Sequence, residues 1–402
     1  MIDWALLVGV LVACFVAYNI GGATTGPAFG PAVGADVLSK TTAAALMSVS
    51  FFAGAFTIGR RVVDTLGEDI VTDPSVFTLE ASIVVLGFIG LALLVGNITG
   101  VPASTSMTAV GAIAGLAVAG GVLNRPVLTE IVSWWILGPV IGFWVSVMIG
   151  RYLYPHVDRL IAIDRTDEPL VTIDRTGSVP KPAVHEDASR RELVGAAIVV
   201  GIGCLMAFSS GASNIANAIA PLVGSGQLAM NPGIVVGSAA VAVGAFTIAR
   251  RTMESLGNDI TDLPLTAAII VAVVSSTIVV FLSAIGIPVQ FVIIATLSIV
   301  GLGWGRATRT VTIADAVRRQ DVPVTAGGLQ MDAEAPTVGE PDLESDSADD
   351  VDPIGEESPE TVPAASDLFD LGVTARIVVM QSIVPVLATI GCYLTFEFVV
   401  FA

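Results

Sequence analysis

The sequence predicts an all-α, polytopic membrane protein made of two homologous, inverted repeats with broken or re-entrant helices, and three observations carry that expectation. Of its 402 residues 54% are hydrophobic and only 13% charged, against about 25% charged in a soluble domain, and the mean hydropathy is +0.83. The apolar residues fall in unbroken runs of about 17 to 25, each long enough to cross about 30 Å of hydrocarbon at ~1.5 Å per residue. A membrane barrel would instead alternate polar and apolar positions. Third, the segment Gly54-Ala-Phe-Thr-Ile-Gly-Arg-Arg-Val-Val-Asp-Thr-Leu-Gly-Glu-Asp-Ile70 matches Gly244-Ala-Phe-Thr-Ile-Ala-Arg-Arg-Thr-Met-Glu-Ser-Leu-Gly-Asn-Asp-Ile260 at 11 of 17 positions, an offset of 190. Similarity at a fixed offset is the mark of a repeated unit.

The runs lie at 4–21, 41–59, 79–98, 102–123 and 129–152, then at 193–209, 233–249, 264–285, 287–304 and 374–401. The N-terminus lacks the basic region of a signal peptide, so the first run is expected to remain as a span. The expected divisions are a first membrane repeat with its following span at 1–152, a polar connection at 153–192, a second repeat at 193–304, an acidic segment at 305–373 and a last span at 374–402. The offset of 190 also pairs Cys14 with Cys204, Gly21 with Gly211, Ala28 with Ala218, Pro31 with Pro221 and Gly34 with Gly224, and an offset of 186 pairs Gly100-Val-Pro102 with Gly286-Ile-Pro288. Five crossings before the second copy, an odd number, would invert it, an arrangement common among secondary transporters.

Charge narrows the function classes. The net charge is −18, but residues 321–370 hold 15 acidic and no basic residues, so the remainder carries about −3 (−18 + 15). That acidic stretch reads as a disordered loop. No cationic footprint for nucleic acid exists. His156 and His185 lie in the polar connection, and Cys14, Cys204 and Cys392 stand singly in apolar runs, so neither a zinc site nor a resident cofactor is expected. Twelve of the 18 cations sit in or beside the two long polar stretches, which predicts a cytoplasmic location for that side. An intramembrane enzyme is disfavoured because the runs contain no His and no pair of acids for proton transfer.

Candidate chemistry gathers at three places. Asn19-Ile-Gly-Gly-Ala-Thr-Thr-Gly-Pro-Ala-Phe-Gly-Pro-Ala-Val-Gly34 and its repeat partner Ser209-Ser-Gly-Ala-Ser-Asn-Ile-Ala-Asn-Ala-Ile-Ala-Pro-Leu-Val-Gly224 read as two helix breaks at equivalent positions. Paired breaks are the sequence pointer to a transporter's binding site, and the plainer alternative is close helix packing by glycine with Ser and Asn bonding between helices. Pro102-Ala-Ser-Thr-Ser-Met107 offers three hydroxyls at a helix start, where amide groups favour an anion. Its plainer alternative is that Ser104 caps the helix.

These residues resemble the inorganic phosphate transporter family, whose repeats each carry a motif written GANDVANA and a following PvSTTH turn. The second copy here reads GASNIANA at 211–218, the first GGATTGPA at 21–28, and the resemblance spans most of residues 1–305 plus the last span. It implies a cation-coupled symporter of inorganic phosphate in the cell membrane, driven by sodium or by protons. The substrate residues it implies are Thr24, Thr25, Ser104, Thr105, Ser106, Ser213, Asn214 and Asn217, with Thr24, Asn214 and Asn217 also holding the cation. Thr24 and Asn214 stand where the motifs have Asp, Pro27 stands for a motif Asn, and the second turn, Pro288-Val-Gln-Phe-Val-Ile293, has lost its Ser-Thr pair. Sulfate or another oxyanion is the alternative substrate, and a membrane scaffold acting through the acidic loop is the alternative of a different class. The expected partners are the oxyanion and the lipid bilayer, with a homodimer left open.

Overall fold

In hydrocarbon every backbone amide and carbonyl must be satisfied within the protein, so apolar runs of this length fold as helices. The structure, a computed structural model, describes residues 4–34, 37–99, 104–161, 171–174, 181–184, 190–249, 265–289, 291–308 and 371–400. Each of the ten apolar runs becomes a helix. The first half contains α1 (Trp4–Gly34), α2 (Lys40–Thr57) continued by the short α3 (Gly59–Asp64), α4 (Leu79–Thr99), α5 (Thr105–Ala119) and α6 (Arg125–Met148). A polar connection with α7 (Tyr154–Ile161) and an antiparallel ribbon, β1 (Val171–Asp174) and β2 (Lys181–Val184), leads to the second half. There follow α8 (Arg190–Gly224), α9 (Met230–Thr247), α10 (Leu265–Ala284), α11 (Phe291–Ala307) and α12 (Leu371–Thr395). Among the described residues the ribbon and an isolated antiparallel bridge between Val71 and Leu123 are the departures from an all-helical chain. The acidic segment beyond Thr308, His185, Pro102 and the Arg250-Arg251 pair lie outside them.

Among the described residues seven helices are long and apolar enough to cross a membrane, and eight if the bent pair formed by α2 with Gly59–Asp69 counts as one span. The chain is a multi-pass membrane protein. Its breaks differ from those expected. Helix α1 runs through Gly21, Gly22, Gly26 and Pro27, and α8 runs through Gly211 and Asn214, without interruption. Unwinding in lipid would free several polar groups at a cost of several kcal/mol each, whereas Pro27 removes a single donor. The interruptions lie instead at Ile58, where the chain bends by 63°, and at the starts of α5 and α11, which at 15 and 17 residues are shorter than the other spans.

Gly21 of α1 and Gly211 of α8 serve close packing, as the plainer alternative had it. A Cβ on Gly54 would meet the Phe208 carbonyl carbon at 2.9 Å, and one on Gly211 would meet that of Phe51 at 2.7 Å. An offset of 190 carries this α2–α8 crossing onto the α1–α9 crossing, where Gly244 faces Tyr18 and Gly21 faces Val241, with carbonyl carbons at 3.0 and 2.9 Å. Each half therefore inserts its first helix against the second helix of the other, reciprocally, as a two-fold relation requires. Gly9 packs on Leu222 while Gly203 packs on Phe29, so α1 and its counterpart α8 run antiparallel.

The remaining helices repeat too. An offset of 186 takes α4 onto α10 and α5 onto α11. Helices α6 and α12 correspond at 246, which superposes Pro139 on Pro385, and each closes in a π turn, Ile149–Leu153 and Phe396–Val400. These two exchange as well: α6 packs on α11, where Gly301 faces Phe143, and α12 packs on α5, where Gly111 and Gly115 face Thr389. The acidic segment is thus an insertion between the fourth and fifth helices of the second half.

Candidate functional site

The short helix α5 starts deep in the protein. Ser104 is its N-cap, extended at φ −67°, ψ 106°, with its Oγ accepting the Met107 N–H at 3.2 Å. The capping role expected as the plain alternative is therefore present, and it fixes the direction in which the first amides of α5 point. Thr105 and Ser106, the next two residues, turn their hydroxyls toward the second half. Thr105 Oγ1 donates to Asn214 Oδ1 at 2.5 Å, and Ser106 Oγ donates to the Val289 carbonyl at 3.0 Å.

Helix α8 supplies the other wall. A 3.6-residue period places Ser210, Ser213, Asn214 and Asn217 on one face. Asn217 Nδ2 donates to Asn214 Oδ1 at 3.1 Å and reaches Ser106 Oγ at 3.4 Å, while Asn214 Nδ2 donates to Ser210 Oγ at 3.1 Å. Ser213 both donates to the Val289 carbonyl at 2.9 Å and accepts the Val289 N–H at 3.1 Å. The lead-in to α11 is thereby tied to α5 and α8 together. Ser104, Ser106 and Asn217 are fully buried, and Thr105, Ser213 and Asn214 nearly so. Asn217 Oδ1 has no hydrogen-bond partner among the described residues. A buried acceptor left open is costly, by about 1–3 kcal/mol, unless a ligand or water fills it.

Six of the eight sequence-predicted residues thus come together: Ser104, Thr105, Ser106, Ser213, Asn214 and Asn217. Thr24 and Thr25 are not hydrogen-bonded to this cluster. Their hydroxyls bond back along α1, Thr24 to the Ile20 carbonyl at 2.8 Å and Thr25 to that of Gly21 at 2.7 Å. Sequence reasoning missed two supporting contacts. Asn97 Nδ2 donates to Asn19 Oδ1 at 2.9 Å and to its carbonyl at 3.1 Å, tying α4 to α1. Trp135 Nε1 on α6 donates to the Pro288 carbonyl at 2.8 Å and holds the turn before Val289. An Asn inside an apolar run of about 20 residues was the available signal for the first; the second needs the fold.

The cluster contains amides and hydroxyls and no titratable group. No group of three or more His, Cys, Asp or Glu side chains gathers among the described residues. It is a neutral, hydrogen-bonding site, able to donate to an oxyanion from hydroxyls, side-chain amides and the first amides of α5. Amide and hydroxyl oxygens can also coordinate a hard cation.

A model of the phosphate transporter family matches residues 20–322. The chain is 30% identical to the sulfate permease CysP of Bacillus subtilis over 301 residues, covering 75% of this chain and 77% of that one. It is 24% identical over 379 residues to a protein of Thermococcus kodakarensis designated a phosphate permease, covering 79% and 93%. A solved structure of a sodium-dependent phosphate transporter shares the fold, with a TM-score of 0.58 at 19% identity over 78% of this chain and 92% of that one. This is a family of transporters rather than enzymes, and the chain belongs to the phosphate transporter family.

Proposed function

We propose that the protein carries inorganic phosphate across the cell membrane, driven by a cation gradient, with sodium as the coupling ion. One observation carries the reading. The first repeat has kept the Ser-Thr turn and the second has kept the Asn-rich motif, and these two retained pieces are the ones in contact, Thr105 on Asn214 and Ser106 beside Asn217. Their degenerate counterparts, Thr24 to Pro27 and Phe291 to Ile293, offer an oxyanion fewer donors. Ser104, Thr105, Ser106, Ser213 and Asn217 bind the anion in this reading. Asn214, with Thr24 on the equivalent turn of α1, contributes oxygen to the cation.

Sulfate is the second reading, because the permease that is 30% identical over 77% of its own length is a sulfate permease. Uptake of radiolabelled phosphate and sulfate into proteoliposomes, under imposed sodium or proton gradients, decides between them. Accumulation of phosphate with sodium, with sulfate a weak competitor, supports the proposal. Accumulation of sulfate alone replaces the substrate, and failure of both under either gradient overturns transport.

A further inference from the structure

Helix α12 carries one more buried polar side chain. Gln381 is 1% exposed, and neither its Nε2 nor its Oε1 finds a hydrogen-bond partner among the described residues. A primary amide buried with both halves open is exceptional, because each unmet group carries a desolvation cost that no partner offsets.

Its position follows from the packing of α12 on α5. A Cβ on Gly111 would run into the Thr389 hydroxyl, and one on Gly115 would lie 2.7 Å from the Thr389 carbonyl oxygen and 3.1 Å from the Tyr393 N. Moving four residues along α5 thus moves about four along α12, so the two helices are parallel and in step. A Cβ on Gly111 would also meet the Pro385 carbonyl oxygen at 3.3 Å, so Gln381, four residues before Pro385 on the same stripe, lies opposite the first turn of α5, beside the Ser104 cap. A helical side chain leans toward the N-terminus of its own helix, which carries this amide further toward the start of α5. The pseudo-symmetry agrees. Trp135, the counterpart of Gln381 at the offset of 246, bonds the Pro288 carbonyl in the lead-in to α11. The start of α5 is therefore flanked by two buried amides with open acceptors, Asn217 on the α8 side and Gln381 on the α12 side.

We infer that Gln381 is a substrate-facing residue that reads the protonated oxygen of the anion, accepting the P–OH at Oε1 while Nε2 donates to an unprotonated oxygen. The inference rests on the phosphate reading above and deepens it. Near neutral pH phosphate retains at least one proton, whereas sulfate has none. A buried acceptor therefore matches phosphate and is left unpaired by sulfate, the kind of mismatch that discriminates most strongly between analogues.

The test uses the full chain in proteoliposomes, with phosphate uptake titrated and sulfate measured as a competitor. Gln381→Met keeps the volume and removes both polar groups; Gln381→Asn keeps them but withdraws them by one methylene. In Gln381→Met the phosphate half-saturation should rise at least tenfold while the sulfate inhibition constant stays within about twofold, and Gln381→Asn should fall between. Folded protein with unchanged phosphate half-saturation in either variant overturns the inference and makes Gln381 a packing residue. Equal losses for both anions overturn the proton-reading role. If Gln381→Met does not fold, Gln381→Asn decides alone, with phosphate-induced thermal stabilisation in detergent as a second readout. Wild-type protein that accumulates no phosphate refutes the proposed function itself, and that result is read before any variant.

Discussion

Replacing Gly54 with alanine should break the reciprocal crossing on which the two halves are assembled. The added methyl would sit 2.9 Å from the Phe208 carbonyl carbon and 3.0 Å from the Ala212 N, with the Phe208 carbonyl oxygen closer still. Ordinary contact begins at 3.4 Å, so α2 and α8 must part by at least 0.5 Å (3.4 − 2.9). Both obstacles are backbone, so no side chain can rotate away. A gap of about 0.5–1 Å forfeits a quarter to a half of each dispersion contact along the crossing, and overpacking of this kind typically costs about 1–3 kcal/mol. Lipid offers no hydrophobic drive to hold the helices together once that packing is lost. The control is Gly201→Ala on α8, where an added Cβ has nothing within 4 Å and alanine gains about 0.5–1 kcal/mol in helix propensity. Thermal unfolding in detergent, followed by monodispersity on size exclusion, should show Gly54→Ala lost or melting well below wild type and Gly201→Ala melting at or above it. If the two variants melt alike, the glycine crossing is not what joins the halves.

Asn214→Ala should raise the half-saturating sodium or phosphate concentration at least about tenfold, roughly 1.4 kcal/mol, read from uptake normalised to folded protein; unchanged half-saturation removes Asn214 from the site. Inversion predicts that cysteines placed at Ser39, after α1, and at Gln227, after α8, label from opposite membrane faces in a cysteine-free background, and labelling of both from one face rejects it. Deleting residues 325–368 should leave uptake within about twofold of wild type, because every residue of the candidate site lies outside that stretch, whereas loss of function in a folded deletion would favour the scaffold alternative.

The ten helices were legible because hydrocarbon leaves a chain so few choices: a run of apolar length has to be helical, and all ten runs are. The repeat was equally plain in the Gly54 and Gly244 segments. What the sequence could not show is which glycines break a helix and which seat one. Gly21 and Gly211 lie in motifs rich in breakers, yet their absent side chains make room for Val241 and Phe51 of the other half. A local reading takes such glycines for helix breaks because it cannot see partners 220 and 160 residues away. The same limit explains Gln381, whose significance depends on α12 running in step with α5 across an insertion that hides the relation between α6 and α12. Thr105 and Asn214 were singled out through the two motifs they occupy, and the fold brings them into hydrogen-bond contact.

The neutrality of the site has a consequence for coupling. Where the family motifs have carboxylates this chain has Thr24 and Asn214, and the cluster around Asn214 carries no charge of its own. A sodium ion entering such a low-dielectric space alone would forfeit hydration worth several kcal/mol with only dipoles in return. In the proposed reading a phosphate held at the start of α5 would supply the missing negative charge, and by reciprocity the cation would then improve phosphate binding by the same factor. Sodium and phosphate should therefore bind with strong positive coupling, at least about tenfold, or roughly 1.4 kcal/mol. The measurement is the sodium half-saturation at phosphate concentrations well below and well above its own half-saturation, by calorimetry in detergent so that turnover does not enter. Asn214→Asp should weaken that coupling, since a built-in carboxylate gives the cation a partner without the anion and repels the anion besides. A sodium affinity that is the same at both phosphate concentrations would mean that fixed charge elsewhere in the protein holds the ion, and would place the cation site away from Asn214.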